Sequence, residues 1–170
     1  MVMLIVFAGL PGTGKSSIAC EVAKATGAVW LRIDSIEQAI RQSGVAPGPI
    51  DDAGYRAAYA VAEDNLLLGR DVVGDSVNPC LLTRNAWREV GLRTGARIIE
   101  VETICTDLGE HRRRIETRDA EVPGLVLPDW QAAVSRDYEP WDRDRLTIDT
   151  AGCSIEDCTK LVCAAMAERA

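Results

Sequence analysis

Gly9-Leu10-Pro11-Gly12-Thr13-Gly14-Lys15-Ser16 satisfies the pattern GxxxxGK[ST], and its surroundings give the pattern physical meaning. The apolar run Met3-Leu4-Ile5-Val6-Phe7 precedes it and reads as a buried strand, while Lys15 to Ala25 follows with helical composition. Glycines at 9, 12 and 14 let the backbone curl without Cβ clashes, so that successive N–H groups converge on an anion at the positive end of the helix. Gly9, Pro11, Gly12, Thr13, Gly14, Lys15, Ser16 and Ser17 are therefore the expected phosphate cradle. Lys15 is expected to bridge the terminal phosphates and Ser16 to ligate magnesium. The bland alternative is a glycine turn that caps a helix.

Working outward, apolar β-branched runs recur at Val29 to Ile33, Asp71 to Gly74, Arg97 to Val101 and Leu146 to Ile148. Each predicts a strand. Helical stretches separate them at Ser35 to Gln42, Asp52 to Leu68, Arg84 to Thr94, Leu108 to Arg118, Asp129 to Asp137 and Ser154 to Arg169. This alternation predicts an α/β fold, a sandwich of helices around a mostly parallel sheet, with ligands at the carboxyl ends of the strands. The chain of 170 residues, 47% hydrophobic and 26% charged, suits one globular domain over 1–170. Its Pro/Gly-rich stretch Gly44 to Pro49 is too short to divide it.

A net charge of -7 argues against a general nucleic-acid coat. The run Val2 to Ala8 lacks a basic n-region and is too short to span a bilayer. The six cysteines, with no CxxC pair and a single histidine, read as reduced core thiols of a cytoplasmic protein. A GTPase reading needs a guanine-specific NKxD-type segment, and the sequence has none.

The P-loop, the strand-end aspartates Asp34 and Asp75, and the segment His111-Arg112-Arg113-Arg114-Ile115-Glu116-Thr117-Arg118 together resemble the compact P-loop kinase group. That group includes gluconate and shikimate kinases, chloramphenicol phosphotransferase, zeta-toxin-like kinases and the kinase domain of polynucleotide kinases. The resemblance implies a three-layer α/β/α sandwich whose five-stranded parallel sheet has the order 2-3-1-4-5, with ATP and Mg2+ as cofactors and a helical lid over about 112–138. It also implies that Asp34 hydrogen-bonds the acceptor hydroxyl and takes its proton. A helix-terminal charge is the alternative role for Asp34. Asp75 reaches the magnesium shell if its strand neighbours the first, or else shapes a turn through Asn78.

Arg114 and Arg118, spaced i and i+4, suit an anion clamp, against a solvated face paired with Glu110, Glu116 and Asp119. His111, alone among cations, reads as exposed. Trp130 is expected to pack on the body, with Tyr138 and Trp141 as candidate walls of the acceptor site. Asp149 to Gly152 lies where related kinases hold the adenine edge with backbone groups, which makes Gly152 a nucleotide-binding candidate. Substrate candidates are Asp34, Glu37, Tyr55, Asn78 and Arg84, with Asp51 and Asp52 adding acidity.

Polynucleotide kinases carry an arginine where this chain has Glu37. That departure and the negative charge disfavour a nucleic-acid end and favour a neutral polyhydroxylated or amine-bearing small molecule. The sequence thus predicts a P-loop kinase that moves the γ-phosphate of ATP to a small-molecule hydroxyl. Two alternatives stay open: a polynucleotide 5′-hydroxyl kinase, and an ATP-binding regulatory module with slow hydrolysis.

Overall fold

Strand β1 (Met3–Ala8) is apolar at every position, as a strand covered on both faces must be. In the computed structural model, which describes residues 1–45 and 48–168, it forms the centre of a parallel sheet of order β2-β3-β1-β4-β5. The other strands are β2 (Val29–Arg32), β3 (Val72–Asp75), β4 (Arg97–Ile104) and β5 (Leu146–Asp149). The helices are α1 (Lys15–Thr26), α2 (Ile33–Ser43), α3 (Ala53–Leu67), α4 (Leu81–Thr94), α5 (Leu108–Thr117), α6 (Trp130–Val134) and α7 (Ile155–Ala167). The expected sandwich and strand order are both present. Of the expected elements, Arg169 in the last helix and residues 46–47 in the Pro/Gly-rich stretch lie outside the described residues.

Because strand side chains alternate in direction, one sheet face carries Ile5, Phe7, Val73, Ile99, Val101 and Ile148 against Ile18 and Val22 of α1 and Val162 and Met166 of α7. The opposite face carries Leu4, Val6, Leu31 and Val72 against Ala58, Ala62 and Leu66 of α3 and Trp87 and Val90 of α4. The register pairs Phe7 with Asp75, Arg32 with Asp75 and Ile104 with Asp149. All five strand ends therefore meet at one edge, where Gly9 to Ser16 leaves β1.

Two strand ends run differently from the sequence reading. Strand β2 stops at Arg32, so Asp34 sits in the first turn of α2 rather than after a strand. Strand β4 extends to Ile104 because its charges find partners: Arg143 forks onto Glu100 (2.6 and 2.7 Å) and Arg145 pairs with Glu102 (2.7 Å). Acidic residues that look like strand breakers are buried here by ion pairs from the following segment. No described helix is long and apolar enough to cross a membrane.

The segment before β5 is anchored by Arg84, which is fully buried. Its guanidinium donates to the carbonyls of Asn78 (2.9 Å), Pro79 (3.3 Å), Glu139 (2.9 Å) and Pro140 (3.2 Å). It also lies against the rings of Tyr138 and Trp141, at 4.8 and 4.3 Å from their centroids. This corrects the expectation of Arg84 as a substrate contact and of Tyr138 and Trp141 as acceptor walls. Helix α4 starts three residues before Arg84, so the side chain is turned into the body, and burial pushes the Tyr138 hydroxyl up to about 12. Arg84→Ala is expected to destabilise the protein by ~3 kcal/mol or more, since it strands four carbonyls and two rings. Urea denaturation reads this, and a raised substrate KM at unchanged stability would contradict it.

Candidate active site

The loop between β1 and α1 is fixed from three directions. Gly9 has φ 141°, and a Cβ there would collide with the Thr103 carbonyl of β4, so only glycine lets the loop pass this close. Gly9 N–H donates to the Val77 carbonyl after β3 (3.1 Å). Beneath the loop Thr13 is buried, its hydroxyl bonded to the Leu10 carbonyl and the Thr103 hydroxyl, both at 2.8 Å. Thr150, after β5, donates its hydroxyl to the Thr13 carbonyl at 3.0 Å.

From the lid side, His111 of α5 bonds the Pro11 carbonyl through Nε2 at 2.8 Å and lies edge-on to Trp130. A carbonyl only accepts, so Nε2 carries the proton. His111 is 4% exposed, contrary to its reading as a surface residue, because α5 lies directly on the loop. A Cβ at Gly12 would collide with Ile115 of the same helix. Trp130 packs inward as expected.

A cleft of about 1130 Å³ opens over this loop. On its floor are Pro11, Gly12, Gly14, Lys15, Ser16 and Ser17. Lys15 and Asp75 are both buried there, and burial pushes the lysine down and the carboxyl up, while each opposes the shift of the other. Ser16 Oγ donates to Asp75 Oδ1 at 3.1 Å. The other oxygen, Oδ2, is buried without a hydrogen-bond partner, with Arg32 Nε 4.0 Å away. A hydroxyl beside a carboxylate oxygen with no protein donor is a hard-oxygen pair that fits a magnesium shell. The glycine cradle and buried ammonium fit the phosphates of a nucleotide.

One end of the cleft is walled by Asp34 and Glu37 of α2, the latter paired with Arg41 (3.0 Å). The other end is walled by Thr150, Cys153 and Ile155. The segment 118–128 closes over the top. It is tied to the sheet by Glu121, which pairs with Arg32 at 2.8 Å, and to α2 by Gln42 Nε2, which donates to the Pro123 carbonyl at 3.2 Å.

The two lid arginines are placed differently. Arg114 donates to the Thr150 hydroxyl and carbonyl, both at 2.8 Å, and pairs with Glu110. Arg118 is the C-cap of α5, outside the helix, so the expected i, i+4 face is absent. Both nevertheless line the cleft, and Nε and one Nη of Arg118 are buried without a protein partner. Arg112 is exposed and paired with Glu116 at 2.7 Å.

Of the other candidates, Tyr55 and Asn78 stand outside the cleft, because the backbone uses their polar groups. Asn78 Nδ2 donates to the Phe7 carbonyl (2.7 Å), and Tyr55 hydroxyl accepts from Asn78 N–H (3.3 Å). Asp51 does not line the cleft either, and exposed Asp52 pairs with Arg56 at 2.8 Å. Gly152 is set back from the cleft, its N–H donating to Glu110 at 3.1 Å. Arg32, Glu121, His111, Thr103 and Thr150 line or brace the cleft, and the sequence reading gave none of them that place. The strand-end rule pointed to Thr103 and Thr150, but nothing local marks the partners of the other three.

The class these features define is a P-loop protein with the fold of the compact P-loop kinases. Residues 4–136 match a family model described as AAA domain (AAA_33), and the chain belongs to that family. The APS kinase CysC of Mycobacterium tuberculosis, solved with AMPPNP and APS, is similar in fold with TM-score 0.70 at 21% identity, over 98% of each chain. A sugar kinase from Janibacter sp. gives TM-score 0.70 at 16% identity, over 98% of this chain and 95% of that one. An uncharacterized protein of M. tuberculosis is 31% identical over 107 residues, which is 60% of this chain. The match spans about a fifth of that relative, 21% of its length.

Two glycines separate backbone strain from steric clash. Gly27 (φ 73°) has open space where a methyl group would stand, whereas a methyl at Gly12 (φ 82°) would strike Ile115. Gly27→Ala is expected to cost ~1 kcal/mol and Gly12→Ala at least ~1 kcal/mol more, read as the difference between their thermal denaturation midpoints.

Proposed function

We propose that this protein is an ATP- and magnesium-dependent phosphotransferase acting on a hydroxyl of a small molecule. The observation that carries the reading is Asp34 and Arg118, two of whose guanidinium nitrogens are buried without a protein partner, lining one cleft with Lys15, Ser16 and, on its floor, Asp75. Bound ATP would supply the phosphoryl group, and bound Mg2+ would neutralise charge on its oxygens. Gly12, Gly14 and Lys15 would hold the phosphates through backbone N–H groups and the ammonium, with Ser16 and Asp75 as the magnesium-side oxygens. Desolvation makes the Lys15 charge more effective on an anion than it is in water.

Asp34 orients the acceptor hydroxyl and takes its proton as the bond to phosphorus forms. Arg118 neutralises the charge that builds on the transferring group, whereas Arg114, occupied by Thr150 and Glu110, positions the lid helix. The lid segment excludes water that would otherwise compete with the acceptor.

Acceptor chemistry follows from the charges left over. Glu37 is neutralised by Arg41, and Asp51 and Asp52 face elsewhere. In the remaining lining Asp34 and Asp119 are offset by Arg118 and Arg136, and Gln38 adds an amide, a set of hydrogen-bonding groups with little net charge. This supports a neutral polyhydroxylated acceptor over an amine-bearing one.

The test is ATP consumption with magnesium, alone and with pools of neutral polyols, amino sugars and 5′-hydroxyl oligonucleotides. Turnover that rises with the polyol pool supports the reading. Asp34→Asn should then lower transfer by about 10² to 10⁴ with ATP affinity retained, and Lys15→Ala should lose both. Stimulation by oligonucleotides would instead make it a polynucleotide kinase, and slow turnover indifferent to every acceptor and to Asp34→Asn a regulatory module.

A further inference from the structure

The six cysteines are free, but they are not all core thiols: Cys105 and Cys158 are buried, and Cys20, Cys80, Cys153 and Cys163 are half-buried. Among the described residues two of them touch through sulfur, Cys153 and Cys158, with Sγ atoms 3.1 Å apart. That is about 1 Å longer than the ~2.05 Å of a disulfide bond. Cys153 lies just before the N-cap Ser154 of α7, and Cys158 is in the helix beyond the first turn. In this arrangement any two apolar side chains would serve as a hydrophobic staple. Two thiols add chemistry that a staple does not need, and both line the cleft.

We propose that Cys153 and Cys158 form a redox-sensitive dithiol that closes to a disulfide and thereby lowers nucleotide affinity. Cys153 is the more exposed and takes the first oxidation, while burial holds the Cys158 thiol up and out of its reactive form. The oxidant is a hydroperoxide. The Cys153 thiolate attacks its O–O bond, giving a sulfenic acid while the leaving oxygen takes the thiol proton as an alcohol, or as water when the oxidant is hydrogen peroxide. The Cys158 sulfur then attacks the sulfenic sulfur, so that S–S forms as S–O breaks, and hydroxide leaves with the Cys158 proton as water. Two thiols lose two electrons, and the peroxide gains them.

The fold allows the movement and transmits it. Gly152 beside Cys153 has φ 63° and nothing within 4 Å of where its Cβ would stand, so no side chain of its own and no neighbour at that position blocks an approach of about 1 Å between the two sulfurs. That loop is wired to both sides of the cleft. Gly152 N–H holds Glu110, Thr150 holds Arg114, and the Thr150 hydroxyl holds the Thr13 carbonyl in the phosphate loop. Drawing Cys153 about 1 Å toward Cys158 pulls on these bonds together.

The experiment uses the full chain, reduced and after treatment with equimolar hydrogen peroxide. Peptide mapping by mass is expected to show Cys153 joined to Cys158 with loss of two hydrogens. Titration with MgATP is expected to show affinity lowered about tenfold and restored by dithiothreitol. Cys158→Ser should lose the peroxide response whatever its starting affinity, with Cys153 found as sulfenic or sulfinic acid. The proposal is overturned if peroxide leaves the two cysteines unlinked, or if the link forms and MgATP binds equally well in both states. The affinity readout rests on the nucleotide reading of the cleft, so linkage without MgATP binding in either state would overturn both, whereas unchanged binding would overturn this proposal alone.

Discussion

A lysine ammonium and an aspartate carboxyl are held out of water at the floor of one cleft, and the surrounding structure is organised around that cost. Lys15 and Asp75 are 8% and 2% exposed. Burial opposes the charge on each, and each offsets part of the penalty for the other. Asp75 still has one oxygen without a donor, and Lys15 leans on the more distant Asp34. Such a pair is only partly satisfied by the protein itself, which leaves charge available for a bound anion and cation. It persists because rigid parts hold it: Lys15 opens α1, whose apolar side is locked into one sheet face, and Asp75 ends a strand hydrogen-bonded on both sides.

The rest of the cleft is built to keep this floor in place and to cover it. Three buried polar residues, Thr13, Thr103 and Thr150, join the phosphate loop to the ends of β4 and β5, so the loop is fixed by the sheet rather than by its own turn. His111 adds a bond from α5 to Pro11, which makes the lid helix part of the loop's support. The outer lid is held more lightly, by the Arg32–Glu121 pair and the Gln42–Pro123 bond at the surface. A pair with one partner at the surface contributes little stability, so this segment is held less firmly than the loop beneath it.

The parts legible in the sequence were those whose cause is local. The phosphate loop could be read because glycine spacing and backbone curvature are one fact, and the apolar runs because a doubly covered strand must be apolar throughout. Less could be read wherever a partner distant in sequence decides the outcome. Glu102 lay beyond the run read as a strand, yet Arg145 neutralises it and the strand continues to Ile104. Arg84 looked like a ligand contact, since a long cation near a strand end reads that way, yet four carbonyls and two aromatic rings claim it. His111 looked exposed because its neighbours in sequence are arginines, whereas its neighbours in space are Pro11 and Trp130.

By itself the sequence determined the sheet class, the phosphate loop and the strand-end Asp75, because periodicity and glycine placement act over a few residues. Only the tertiary structure decided which of the candidate side chains share a cleft. It kept Asp34, Glu37, Arg114 and Arg118 there, turned Tyr55, Asn78 and Arg84 into the supporting body, and brought Cys153 against Cys158. The physical reason is that a polar side chain is committed by whichever unsatisfied group the fold brings nearest, and that distance is fixed by register and packing between elements far apart in the chain.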